Sequence, residues 1–170
     1  MELWEVLDEN GNLTGEIMEK YDKKVFERGM YHLGTDVWII NSENKILIQK
    51  RSEQKRLEPN VWTMTGGSVI LGEKSPETIV REAKEELDID INPDDLKLIT
   101  RFRTGNVWID TYILKCDYDV SKMKFQKDEV SDAKWETWEE IDDLVSKGQF
   151  IKHRWEFVSK FIKEEIGGRE

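Results

Sequence analysis

Between Gly66 and Ile89 the chain reads GGSVILGEKSPETIVREAKEELDI, which crowds Glu73, Glu82, Glu85 and Glu86 into one short stretch. Like charges three and four residues apart on a helix each cost a few tenths of a kcal/mol. A hard cation with oxygen ligands would offset that repulsion. The plainer reading, a solvated acidic face, is common in a chain this rich in glutamate. Gly66 and Gly67, just upstream, add a second kind of chemistry. A backbone without side chains can offer a carbonyl to a metal or come close to a phosphate.

The spacing predicts that a helix carries these carboxylates. Ser75 is the expected N-cap, Pro76 takes the first helical position and Glu77 the first turn. Ile79, Val80, Ala83 and Leu87 fall on one face, wide enough to pack against a sheet. Glu82, Glu85 and Glu86 form a second stripe beside it. No Lys or Arg falls in that sector, so the repulsion is expected to lack a partner on the helix. Arg81 faces away from the core, where it can bridge Glu77 or Glu85.

The remaining elements must hold this helix in place. ELWEVL and LTGEIM flank DENGN, whose Asn-Gly pair signals a hairpin. HLGTDVWII and KILIQKR make a second hairpin around NSEN. VWTMTGGSVI reads as a strand interrupted by paired glycines. LKLITRFRT, VWIDTYILKCDYD and SDAKWETW are further strands, and two helices close the chain, near Trp138 to Ser146 and Lys152 to Ile166. The pattern predicts an α+β fold, a mixed sheet packed between helices as an α/β/α sandwich, with an N-terminal β-hairpin. One domain, 1–170, is expected, with residues 1–30 as a ribbon extension.

Bulk properties limit the partners. A net charge of −10 repels a long nucleic acid. No apolar run approaches the roughly 18 residues of a membrane span, and the first residues lack a basic flank, so a cytoplasmic protein is expected. The lone Cys116 sits in a strand-like alternation and reads as a structural thiol. An exposed ribbon such as residues 2–18 could exchange with a partner and make a homodimer.

The spacing from Gly67 through Glu73 to Arg81, Glu82, Glu85 and Glu86 resembles the signature box of the Nudix hydrolases, G-x5-E-x7-R-E-U-x-E-E-x-G-U with U apolar. Six fixed positions match. The last glycine is Asp88 here, at a position that favours left-handed backbone, which Asp tolerates better than most residues. Beyond the box, HLGTDVWIINSENKILIQKRS, PNVWTMTGG and WEEIDDLVSKGQF are similar to the branch of the family that resembles isopentenyl-diphosphate isomerase. Most of the chain is covered, about 2–150.

The resemblance implies the Nudix fold and a metal-dependent pyrophosphohydrolase that cleaves a nucleoside diphosphate linked to another moiety by water attack on phosphorus. It implies Mg²⁺ or Mn²⁺ held by Glu82, Glu85 and Glu86, with the Gly66 carbonyl a further ligand and Glu73 and Arg81 as supports. Glu82 and Glu129 are the candidates for the base. Arg51, Gly67 and Trp108 are expected near substrate, although an aromatic such as Trp108, Trp62 or Tyr112 in a mixed sheet is more often core. His32 matches a metal ligand of the isomerase. Two rivals stand beside the hydrolase: an isomerase acting on isopentenyl diphosphate, and a non-catalytic nucleotide-sensing domain. The isomerase needs a catalytic cysteine where this chain has Thr65 to Ser68.

Overall fold

The computed structural model describes residues 1–167. Strands β1 (Leu3–Leu7) and β2 (Leu13–Glu19) form the expected hairpin. A short helix, α1 (Lys23–Glu27), follows, with Asp22 accepting from the Lys24 amide at its N-terminus. Trp4, Val6, Met18 and Val25 enclose a small core between hairpin and helix, closed by Phe26, Met30 and Ile70. The ribbon is therefore a packed unit, joined to the rest through Leu7 and Tyr31, whose backbones exchange hydrogen bonds of 2.7 and 2.9 Å.

The main sheet is mixed. Its spine is β3 (His32–Ile40), which runs parallel to β8 (Val107–Lys115) over its whole length, from His32 opposite Val107 to Ile40 opposite Lys115. β7 (Lys97–Thr104) continues the sheet beyond β8. On the other side, β3 meets β4 (Ile46–Arg51) only at Ile40 and Ile46, after which the two strands diverge. Into the gap comes β6 (Thr65–Ser68), antiparallel to β3 from Gly34 to Val37. β4 instead pairs with β5 (Trp62–Thr63) and β9 (Val130–Glu136). The hairpin foreseen around NSEN therefore holds only at its root, and the opening above it becomes a cavity.

Side chains alternate across β3, as the two-residue period of a strand requires. Trp38 and Ile40 face one layer, with α3 (Trp138–Ser146) and α4 (Lys152–Gly167), through Ile141, Trp155, Val158 and Ile162. Val37 and Ile39 face the other, against α2 (Ser75–Leu87), through Ile79, Ala83 and Leu87. The result is the α/β/α sandwich expected from the sequence. α3 starts at a capping box: Thr137 accepts from the Glu140 amide and Glu140 accepts from the Thr137 amide.

Helix α2 departs from expectation at its start. Lys74, not Ser75, is the N-cap, and no side chain caps the turn. The Ser75 hydroxyl is buried and turned to the sheet, where it donates to Asp110 at 2.8 Å and lies 2.7 Å from the Tyr112 hydroxyl. A capping bond is worth about 1 kcal/mol, and two tertiary partners on β8 outcompete it. At the far end Asp88 holds φ 55° and ψ 41°, the left-handed backbone foreseen for it.

Candidate active site

The carboxylate stripe of α2 runs from the core outward. Glu86 is 8% exposed, its side chain aimed into the gap between β3 and β4, while the Glu85 side chain is 51% exposed. Glu82 lies between them. Gln49 on β4 donates to the Glu86 carboxylate at 2.6 Å and accepts from the Thr65 hydroxyl at 2.8 Å, which links two strands and the helix in one chain of bonds. Burial, and after it the charge of Glu82, pushes the Glu86 carboxyl well above the usual carboxylate range, and the Gln49 bond only partly opposes this. Burial likewise raises Glu82.

Arg81 corrects the expectation of an unpartnered stripe. Its Nε donates to Glu73 at 2.6 Å, and its Nη1 reaches Glu82 at 3.1 Å and Glu85 at 3.4 Å. Glu77 takes no part. A guanidinium is long enough to curl back along its own helix, which positions counted by angle do not show. Burial works against the Arg81 charge, but the Glu73 bond and the surrounding carboxylates more than offset it and raise its pKa. Glu73 is fixed in turn by Thr78, which donates to it at 2.7 Å.

The paired glycines form the floor. A Cβ on Gly66 would stand 2.3 Å from the Thr35 carbonyl, and one on Gly67 would stand 2.5 Å from Glu82 Oε1. β6 therefore lies against the spine strand on one side and the acidic helix on the other, as only a bare backbone can. Gly67→Ala is expected to fold with little loss, because the flexible end of Glu82 can move aside. The displaced carboxylate should then lower kcat/KM by about 10²-fold. Urea titration beside steady-state kinetics separates the two effects.

Two adjoining spaces converge here. A cavity of about 420 Å³ is lined by Gly66, Gly67, Glu86, Arg51 and Glu129, and a groove of about 320 Å³ adds Glu82, Glu85 and Arg81. Most of the residues singled out from the sequence are thus brought together. Glu129 is ion-paired with Lys55. Arg51 donates from Nη2 to the Leu57 carbonyl at 2.9 Å and from Nε to the Glu58 carbonyl at 3.2 Å, so it braces the loop beside the cavity while lining it. Trp108 lines neither space: its indole donates to the Asp8 carbonyl at 3.0 Å and packs on the hairpin turn at Gly11. Cys116 lines neither as well. His32 lines the cavity wall with its ring stacked on Trp4 at 4.0 Å, and burial pushes its pKa down to about 4, so the imidazole is neutral at pH 7.

Some wall residues escaped the sequence reading. Arg154 on α4 donates to Asp36 at 2.6 Å, and Asp36 is fully buried in the middle of β3. The signal for Asp36 was available, since an aspartate inside a β-branched run implies a buried partner. Gln49, directly after the apolar run Ile46 to Ile48 on β4, carried a weaker one. Nothing in the sequence around Arg154 marks it as that partner.

Among the described residues, no three His, Cys, Asp or Glu side chains already stand as a metal centre. The donor set nevertheless fits a hard divalent cation: every candidate ligand is an oxygen. Glu82 and Glu86 are packed together, with Arg81 bonded to Glu82 and Gln49 to Glu86, and burial disfavours the charge of both, a cost that a bound cation would relieve.

With this geometry in hand, relatives bear on the chain directly. The NUDIX domain family matches residues 30–161. An uncharacterised Nudix hydrolase of Listeria monocytogenes is 36% identical over 156 residues, 90% of each chain. An isopentenyl-diphosphate Delta-isomerase of Citrobacter koseri is 27% identical over 88% of this chain and 85% of its own. The crystal structure of a Deinococcus radiodurans protein superposes with a TM-score of 0.75 at 23% identity, covering 95% of this chain and 98% of its own. A box whose Gly67, Arg81, Glu82, Glu85 and Glu86 line one groove, on a fold shared along nearly the whole chain, leaves one conclusion: the protein belongs to the Nudix hydrolases.

Proposed function

We propose that the chain hydrolyses the phosphoanhydride of a nucleoside diphosphate linked to another moiety, by attack of water on phosphorus. The observation that carries this reading is the buried Glu86 carboxyl, held by Gln49 beside Glu82 and the bare Gly66–Gly67 backbone. Glu82, Glu85 and Glu86 would hold Mg²⁺ or Mn²⁺, with the Gly66 carbonyl as a further ligand. Such an ion, when bound, offsets the charge of the diphosphate oxygens and makes water more acidic.

The remaining work falls to the chain itself. Arg81 and Glu73 hold the acidic stripe in one arrangement, so little reorganisation accompanies reaction. Gly67 lets a diphosphate lie close to the backbone of β6. Arg51, braced on the loop carbonyls, lines the cavity and offers its guanidinium as an anion contact. Glu82 and Glu129 are the two candidates to take the proton of the attacking water. Glu82 is favoured, because burial raises its proton affinity while Lys55 already holds the Glu129 carboxylate.

The second reading, isomerisation of isopentenyl diphosphate, draws on the Citrobacter relative. It needs a group that moves a proton at carbon, and Cys116 is placed beyond the end of β8, beside Tyr118 and away from the cavity. Product release from nucleoside diphosphate compounds and from isopentenyl diphosphate, with and without Mg²⁺ or Mn²⁺, tests both. Metal-dependent cleavage of a nucleoside diphosphate compound is expected. Isomerised isopentenyl diphosphate without cleavage would overturn the hydrolase reading, and binding of nucleotide without turnover would make the chain a sensor.

A further inference from the structure

Three spaces meet at Tyr21 and Arg51, which line all of them. Two are the cavity and groove described above. The third, about 450 Å³, lies within the roughly 300–1,000 Å³ of small-molecule sites. Its charged lining is entirely basic: Lys23, Arg51, Lys55 and Arg56. In a chain of net charge −10, four cations around one space with no carboxylate in the wall run against the field of the whole protein.

These charges are mostly uncommitted. Lys55 is paired with Glu129. Among the described residues, Lys23, Arg51 and Arg56 make no ion pair. Arg51 is hydrogen-bonded to loop carbonyls, which fix its position without neutralising it. The walls are also apolar. Phe26 lines the space, and Tyr21 and Leu57 leave 61% and 62% of their surface open. Tyr21 holds φ 64°, a costly backbone for a bulky residue, and Trp4 meets its ring edge-on at 5.4 Å. Glu58 and Asn60, in the facing loop, are left-handed too.

We infer that this annex binds a phosphate carried on an aromatic or apolar moiety of the substrate, separate from the diphosphate that is cleaved. Three unpaired cations suit a phosphate, which carries nearly two negative charges at pH 7, better than a singly charged carboxylate. The guanidinium forks of Arg51 and Arg56 match its oxygens in pairs. Tyr21, Phe26 and Leu57 supply surface for the group that bears it. The assignment rests on the hydrolase reading for where the scissile diphosphate lies, with Tyr21 and Arg51 at the junction. Its consequence is selectivity: a diphosphate compound with an extra phosphate is preferred over the same compound without it.

Matched pairs test this directly. NAD+ and NADP+, and dephospho-coenzyme A and coenzyme A, each differ by one ribose phosphate. Calorimetric titration of all four without divalent ions, and kcat/KM for all four with Mg²⁺, would be measured on the wild type and on the exposed double variant Lys23→Gln/Arg56→Gln. The phosphorylated member of at least one pair is expected to bind about tenfold tighter, as one charge-assisted contact provides. The ratio should fall toward one in the variant, whose fold is checked by circular dichroism. Equal or undetectable binding within both pairs, or a preference that survives in the variant, would overturn the annex. Binding preference without cleavage of any diphosphate compound would leave the annex standing and sink the hydrolase reading instead.

Discussion

Glu86→Gln is expected to remove at least about 10²-fold of the metal-dependent kcat/KM, the scale on which a single preorganised electrostatic partner counts, while leaving the melting temperature unchanged or higher. The side chain keeps its size, and its amide oxygen can still accept from Gln49. What is lost is the charge. That charge is costly in the fold, because Glu86 is buried beside Glu82 and burial raises its pKa. On the proposed reading a bound cation would offset that cost, which the Gln49 bond only partly opposes. Titration calorimetry with Mg²⁺ and Mn²⁺ should show weaker binding in the variant. Unchanged turnover, or a fold that collapses on removing the charge, would count against the assignment. Glu85→Gln should also reduce metal affinity, but with no change in stability, since its side chain is half exposed and its ion pair with Arg81, at 3.4 Å, is long.

Gly66→Ala should act in the opposite sense, on the fold first. The added methyl would stand 2.3 Å from the Thr35 carbonyl and 2.9 Å from the Asp36 Cα. Both atoms belong to the backbone of β3, which is hydrogen-bonded to β6 on one side and to β8 along its entire length on the other. Neither can swing away as a side chain would. Forcing an extra carbon into such a site costs about 3 kcal/mol, or roughly 6–12 °C in Tm for a chain of this size. A urea titration should show a lower midpoint at unchanged slope. A melting temperature within a degree or two of wild type would mean that β6 can slide along the spine, and that Gly66 is not held by close approach. The contrast with Gly67→Ala is informative: neighbouring glycines, one against immovable backbone and one against a mobile carboxylate, should separate stability from catalysis.

Much of this architecture follows from short-range pattern. The Asn-Gly turn, the two-residue alternation of β3, the apolar face of α2 and the spacing of its glutamates are set by residues a few positions apart. The hairpin, the sandwich and the acidic helix were legible for that reason. The fate of each polar group was not. Ser75 gave up its capping role because Asp110 and Tyr112 reach it from β8. Trp108, expected near substrate, is committed to the hairpin turn by the Asp8 carbonyl.

Residue order was enough to mark which side chains could do chemistry and on which face of which element they stand, because helix and strand periods convert spacing into direction. How deeply each carboxylate is buried, which cation answers it and what space opens between them came from the packing of the elements. Those outcomes depend on strands and helices far apart in the chain, as with Gln49 and Glu86 or Arg154 and Asp36. Desolvation and ion pairing are properties of the assembled surroundings, so the divergence of β3 from β4 gave the site its cavity and set the charge balance of the glutamates in it.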